Sequence, residues 1–98
     1  MQSQREADIE AKLRDEMTRR DCLCYKFVSP GNDGVPDRII ITPDGEAIFI
    51  ELKTERGRLS ARQKAQIRRL RDHCMTVFVL YGAEDVDSFI KHFDSLRR

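Results

Sequence analysis

Gly34-Val35-Pro36-Asp37-Arg38-Ile39-Ile40-Ile41-Thr42-Pro43-Asp44-Gly45-Glu46-Ala47-Ile48-Phe49-Ile50-Glu51-Leu52-Lys53 is the stretch that decides the fold of this chain. Pro36 stops whatever precedes it, and Asp37 opens an apolar strand, Arg38 to Ile41. Thr42-Pro43-Asp44-Gly45 has the composition of a tight turn. Glu46 to Lys53 then returns as a second strand, so the segment reads as an antiparallel hairpin. A turn near Pro43-Asp44 pairs residues whose numbers sum to about 87 or 88, which sets Asp37 roughly opposite Glu51. Side chains alternate along a strand, so Glu51 and Lys53 share one face. Ile48, Ile50 and Leu52 share the other and can pack against a helix. Two carboxylates and an ammonium thus meet at one end of a sheet.

Outward from the hairpin, Pro30-Gly31-Asn32-Asp33-Gly34 is a turn cluster, and Cys24 to Ser29 before it is rich in strand formers. Ile9, Leu13 and Met17 recur at helical spacing, predicting an amphipathic helix from Gln4 to Arg20 with a Ser3-x-x-Glu6 capping box. Past Gly57, Ser60-x-x-Gln63 is a second capping box, opening a helix to about His73. Thr76 to Leu80 is a short apolar strand of the kind found buried, and Gly82 ends it. Val86, Phe89, Ile90 and Phe93 lie on one face of a last helix, Ala83 to Leu96. The predicted order is αβββαβα: an α/β domain with a mixed sheet flanked by helices, occupying residues 1–98.

The chain has 98 residues, enough for one modest core. No apolar run approaches the roughly 20 residues of a membrane span, and the polar, acidic N-terminus is unlike a signal peptide, so the expected location is cytoplasmic. Cys22, Cys24 and Cys74 lack the spacing of a zinc knuckle and read as reduced thiols. The net charge of +1 conceals an asymmetry. Residues 53–73 carry a net +6, whereas residues 22–52 carry a net −3. A basic stripe beside an acidic cluster suits an enzyme that holds phosphates and binds cations, although charge alone favours a solvated helix face.

Asp37, Glu51 and Lys53 are the residue types that phosphodiester hydrolysis needs. Carboxylates can hold a divalent ion that lowers the pKa of bound water, and a lysine can orient or deprotonate that water or neutralise developing charge. A surface salt bridge would also explain a lone Glu-x-Lys. The breaker before Asp37 and the apolar strand that carries Glu51 weigh against it, because charge in such a place is costly without a partner.

The segment Gly34 to Ile90, with its Gly-Val-Pro-Asp, Phe-Ile-Glu-Leu-Lys and Gly-Arg-Leu-Ser-x-x-Gln motifs, resembles the VRR-NUC (virus-type replication-repair nuclease) family of the PD-(D/E)xK superfamily. The resemblance implies a restriction-endonuclease-like αβββαβ core. It implies Mg²⁺ or Mn²⁺ held by Asp37, Glu51 and a main-chain carbonyl of Ile50 or Leu52, the latter preferred, with Lys53 as the catalytic lysine. Gln63 matches a family position near the active site and serves equally as a capping residue. The first helix is expected to add an acid: Glu10, with Glu6 in reserve. Lys26 matches another family position, with a role toward phosphate or an ion pair with Glu10 or Asp37; Arg38 alternates away from the site. Arg56, Arg58, Arg62, Lys64 and Arg68 are candidate contacts to DNA backbone, joined on the helix by Arg69 and Arg71.

No aromatic platform or recognition arm is evident in the sequence, which favours a structure-specific nuclease over a sequence-specific one. The resemblance suggests a homodimeric Holliday-junction resolvase acting on branched DNA. A nuclease for flaps, nicks or single strands, or a non-catalytic DNA-binding module, are the competing readings.

Overall fold

The computed structural model describes residues 6–97. The elements are α1 (Glu6–Thr18), β1 (Leu23–Lys26), β2 (Arg38–Ile41), β3 (Ala47–Lys53), α2 (Ala61–Asp72), β4 (Thr76–Tyr81) and α3 (Gly82–Ser95), the expected order. The box expected at Ser3–Glu6 begins outside the described residues, as does the expected first turn of the helix at Gln4.

The four strands lie side by side in chain order, β1-β2-β3-β4. β1–β2 and β2–β3 are antiparallel, and β3–β4 is parallel. Arg38 faces Ile50 and Ile41 faces Ala47. One step beyond Arg38–Ile50, Asp37 comes abreast of Glu51, as the hairpin arithmetic requires.

Alternation divides the sheet between two helical layers. Ile40, Ile48, Ile50, Leu52 and Leu80 pack with Ile9, Leu13 and Met17 of α1 and with Val86, Phe89, Ile90 and Phe93 of α3. Phe49 and Val77, on the opposite face, pack with Ile67 of α2, and Phe27, Ile39, Leu59, Leu70 and Val79 close around them. Ile50 and Leu52 are fully buried, each worth about 1.5–3 kcal/mol of hydrophobic stabilisation. That burial holds β3 centrally and fixes its register, since a one-residue slip would drive Glu51 into the α1–α3 core.

β1 begins and ends earlier than the Cys24–Ser29 reading. The Phe27 N–H still reaches the Asp37 carbonyl at 2.8 Å. Beyond it the ladder stops, and Val28 is exposed. β4 is apolar because helices cover both its faces; it is an edge strand, not a central one. Arg71 of α2 donates to the Val77 carbonyl at 2.7 Å. Gly82 is the first residue of α3, at φ +74°, and Asp85 caps that helix by accepting from the Tyr81 N–H at 2.8 Å.

Candidate active site

Asp37 sits where the chain enters β2, and its Oδ2 accepts from the Leu52 N–H at 2.9 Å. The carboxylate thereby ties the start of β2 to the end of β3. Glu51 projects from β3 toward the α2 layer and is 1% exposed. Its Oε2 lies 3.5 Å from the Lys53 ammonium and accepts from the Gln63 side-chain amide at 3.2 Å. Its Oε1 is buried with no partner.

The Glu51 carboxyl is pushed up to about 7, first by burial, then by the negative charge of Asp37; Lys53 opposes both. Two adjacent carboxylates, one of them buried with a free oxygen, form a site that is unfavourable without a cation. The residues present therefore fit a divalent ion: hard oxygen donors, one of them orphaned, with a main-chain carbonyl of β3 close at hand. Among the described residues no group of three or more His, Cys, Asp or Glu is placed to share a metal.

Gln63 arrives through the cap of α2. The Ser60 side chain accepts from the Gln63 N–H, and the Gln63 Oε1 accepts from the Ser60 N–H at 2.9 Å. With its oxygen so engaged, the amide must present nitrogen to Glu51. One side chain thus closes the cap and also touches Glu51.

Glu10 is not brought to this group. Its Oε2 lies 3.4 Å from Nε of Arg38. Arg38 shares the face of Ile40, on the α1 side of the sheet, whereas Glu51 and Lys53 face α2. The helical period could not have revealed this, because Arg38 is the nearest buried cation and its side chain is only 10% exposed. Lys26 is exposed, opposite Arg38 in register, and pairs with neither Glu10 nor Asp37. Glu6 is exposed. A hollow of about 490 Å³ at the other end of the sheet is lined by Arg20, Pro43, Asp44, Phe93, Asp94 and Arg97. There Arg20 pairs with Asp94, and Arg97 pairs with Glu46.

Residues 2–84 match the family model of the VRR-NUC domain. The chain belongs to the VRR-NUC family. A curated phage relative, "Putative nuclease p44" of Acyrthosiphon pisum secondary endosymbiont phage 1, is 37% identical over 86 residues, covering 88% of this chain and 91% of its own. A solved VRR_NUC domain superposes with a TM-score of 0.84 at 27% identity, covering 90% of this chain and 96% of the other. A second solved structure, a VRR_NUC domain protein, shares the fold at 19% identity, with a TM-score of 0.78 and coverage of 97% and 92%.

In this VRR-NUC domain Arg56, Arg58, Arg62, Lys64 and Arg68 are all exposed. Two of the basic residues on α2 are engaged: Arg62 pairs with Asp33, and Arg71 is held by Val77. Sequence reading overlooked Tyr81. It pairs with Lys53 across the parallel β3–β4 ladder, so the two side chains share the α2 face. The phase of β4, with Val77 and Val79 on that face, carried the signal, but the parallel register that puts Tyr81 beside Lys53 was not legible. Gly34, read as part of a turn cluster and of the Gly-Val-Pro-Asp motif, lies against the first turn of α2.

Proposed function

We propose that this VRR-NUC nuclease domain is a divalent-metal-dependent endodeoxyribonuclease of the PD-(D/E)xK type, acting on branched DNA and best suited to a four-way (Holliday) junction. The observation that carries the metal-dependent hydrolytic reading is the buried, unpartnered Oε1 of Glu51, beside Asp37 and with Lys53 on the other carboxylate oxygen. Asp37 and Glu51, with the Leu52 carbonyl, are the residues that would hold Mg²⁺ or Mn²⁺. Such an ion, when bound, supplies Lewis acidity toward a phosphoryl oxygen and acidifies coordinated water.

The chain's own groups have separable tasks. Gln63 and Lys53 both engage Oε2 of Glu51, leaving Oε1 as the free donor. The Lys53 ammonium, mostly buried, is positioned to orient an attacking water and to offset charge building on the phosphate oxygens. Asp37 is braced by the Leu52 N–H, which lowers the entropic cost of ordering its carboxylate toward an ion. The exposed Arg56, Arg58, Lys64 and Arg68 provide sequence-independent attraction for the backbone.

A homodimer is the assembly we propose for paired cuts. The open edge at β1, with Leu23 and Tyr25 about half exposed and Val28 more so, supports it as a surface for a second copy. The relative from a phage, and the absence of any described helix long and apolar enough to cross a membrane, support action in the cytoplasm of a bacterium or phage-infected host.

The test is cleavage of labelled four-way junction, 5′ flap, nicked duplex, linear duplex and single strand with Mg²⁺, Mn²⁺ or EDTA, beside a Lys53→Ala control. Metal-dependent paired cuts in the junction, lost in the control, are expected. Cuts confined to another substrate would retain the nuclease and discard the resolvase. Binding without cleavage in either metal would leave a non-catalytic module.

A further inference from the structure

Beyond Lys53 the surface opens into a groove of about 660 Å³ lined by Glu55, Gly57, Arg58, Leu59, Lys64 and Tyr81. It adjoins the catalytic lysine directly: a β-carbon on Gly57 would stand 3.1 Å from Cβ and 3.2 Å from Cδ of Lys53, so the floor of the groove is packed on the lysine stem. Arg58 and Lys64 enter from the α2 side, exposed and with no salt bridge among the described residues. Tyr81 enters from β4, one strand from Lys53 and on the same face. Glu55 leans the other way, its Cγ 2.9 Å from where a β-carbon on Gly82 would lie. With Glu84 it lines a second, smaller hollow on the α3 side of Tyr81.

We infer that this groove seats one unpaired nucleotide of the substrate, next to the phosphate being cut, with its base against the Tyr81 ring and its flanking phosphates on Arg58 and Lys64. The inference rests on the nuclease reading and adds to it which part of a branched DNA is gripped. A phosphodiester chain is drawn to the Arg58–Lys64 wall and repelled from the Glu55–Glu84 side, so its backbone has one path past Lys53. An aromatic face beside that path accepts any base, because every base offers a π-surface, but only where the base has left its helical stack. Tyr81 therefore selects for branch points without reading sequence, the kind of discrimination a domain of this size can provide with no recognition arm.

The experiment is a coupling measurement made with Ca²⁺ in place of Mg²⁺, so that binding is read without cutting. Affinity is compared for a four-way junction and the same junction made abasic at each position around the crossover, using wild type, Tyr81→Phe and Tyr81→Leu. At one position the abasic site should weaken wild type and Tyr81→Phe by about fivefold to a hundredfold and leave Tyr81→Leu unaffected. Arg58→Gln with Lys64→Gln should lower the log–log salt slope by about 1.5 to 2 while keeping that base dependence. Equal sensitivity of Tyr81→Leu and wild type to every abasic position would overturn the inference, as would loss of binding in Tyr81→Phe, which points to the hydroxyl instead. Wild-type cleavage in Mg²⁺ is scored separately: coupling without cleavage sinks the nuclease and keeps the groove, and cleavage without coupling does the reverse.

Discussion

Gly34 lies so close to Arg62 that a β-carbon at position 34 would be 2.7 Å from the Arg62 carbonyl carbon and 2.9 Å from the Gln63 nitrogen. The loop that delivers Asp37 is thus seated on the helix turn that delivers Gln63. Gly34→Ala should destabilise the protein by about 2–4 kcal/mol, combining the left-handed backbone with the steric wedge. It should also reduce cleavage beyond what the lost stability explains. Gly45 supplies the control: it has φ +89° and open space around it. Gly45→Ala should cost only about 1 kcal/mol. Urea melts and rates on folded protein separate the two; equal losses in both variants would contradict the seating role.

Glu51 makes metal-free stability depend on pH. Its folded pKa, about 7, is above the ordinary 4.5. The folded state therefore holds the proton more tightly, and this contribution is fully present below about pH 4.5 and lost as pH rises through about 7. Glu51→Gln should remove that dependence and raise Tm by several degrees at pH 8 in EDTA. Mg²⁺ should raise the Tm of wild type at pH 8 and leave that of the variant unchanged. Thermal melts across pH, with and without metal, check both statements, and a flat wild-type profile would refute the first.

Ser60 acts on the site through Gln63. Ser60→Ala should cost about 1 kcal/mol as a lost cap. It also frees the Gln63 backbone N–H and so loosens the turn in which the Ser60 N–H holds the Gln63 Oε1 and leaves the amide nitrogen for Glu51. Cleavage should fall several-fold in Ser60→Ala and at least as far in Gln63→Ala, with the double variant no worse than Gln63→Ala alone. Additive losses in single-turnover rates would show that the two residues act apart.

Glu10 pairs with Arg38, on the α1 side of the sheet. Glu10→Ala leaves a buried guanidinium short of its counterion and should destabilise by about 1–3 kcal/mol. Affinity for Mn²⁺, measured by titration calorimetry, should be unchanged. Glu10→Leu combined with Arg38→Met should recover most of the stability. A large loss of Mn²⁺ affinity in Glu10→Ala would restore this side chain to the site.

The order of elements along the chain, the hairpin and the meeting of Asp37 with Glu51 were readable because turn chemistry and residue periodicity fix them locally. Ile50 and Leu52 could face only a core, so Glu51 and Lys53 had to face the other way. Long-range relations were less accessible. Glu10 and Glu6 occupy similar helical positions, and only the packing of α1 over β2 reveals Arg38 as the partner of Glu10. Lys26 reads as a site residue by position, yet its register partner is Arg38 and it projects into solvent. Tyr81 became visible only with the parallel pairing of β3 and β4, a crossover whose register no single segment encodes.

The strands lie in the sheet in the order in which the chain makes them. Each newly formed strand finds its neighbour already in place, and no connection has to be threaded past a later one. Loop-closure entropy is smallest for the β2–β3 hairpin and largest for the parallel β3–β4 crossover. Asp37, Glu51, Lys53 and Gln63 all fall within one uninterrupted piece of chain. The candidate site is therefore built by the entry to β2, by β3 and by α2 alone, with no residue from β4 or α3 among these four.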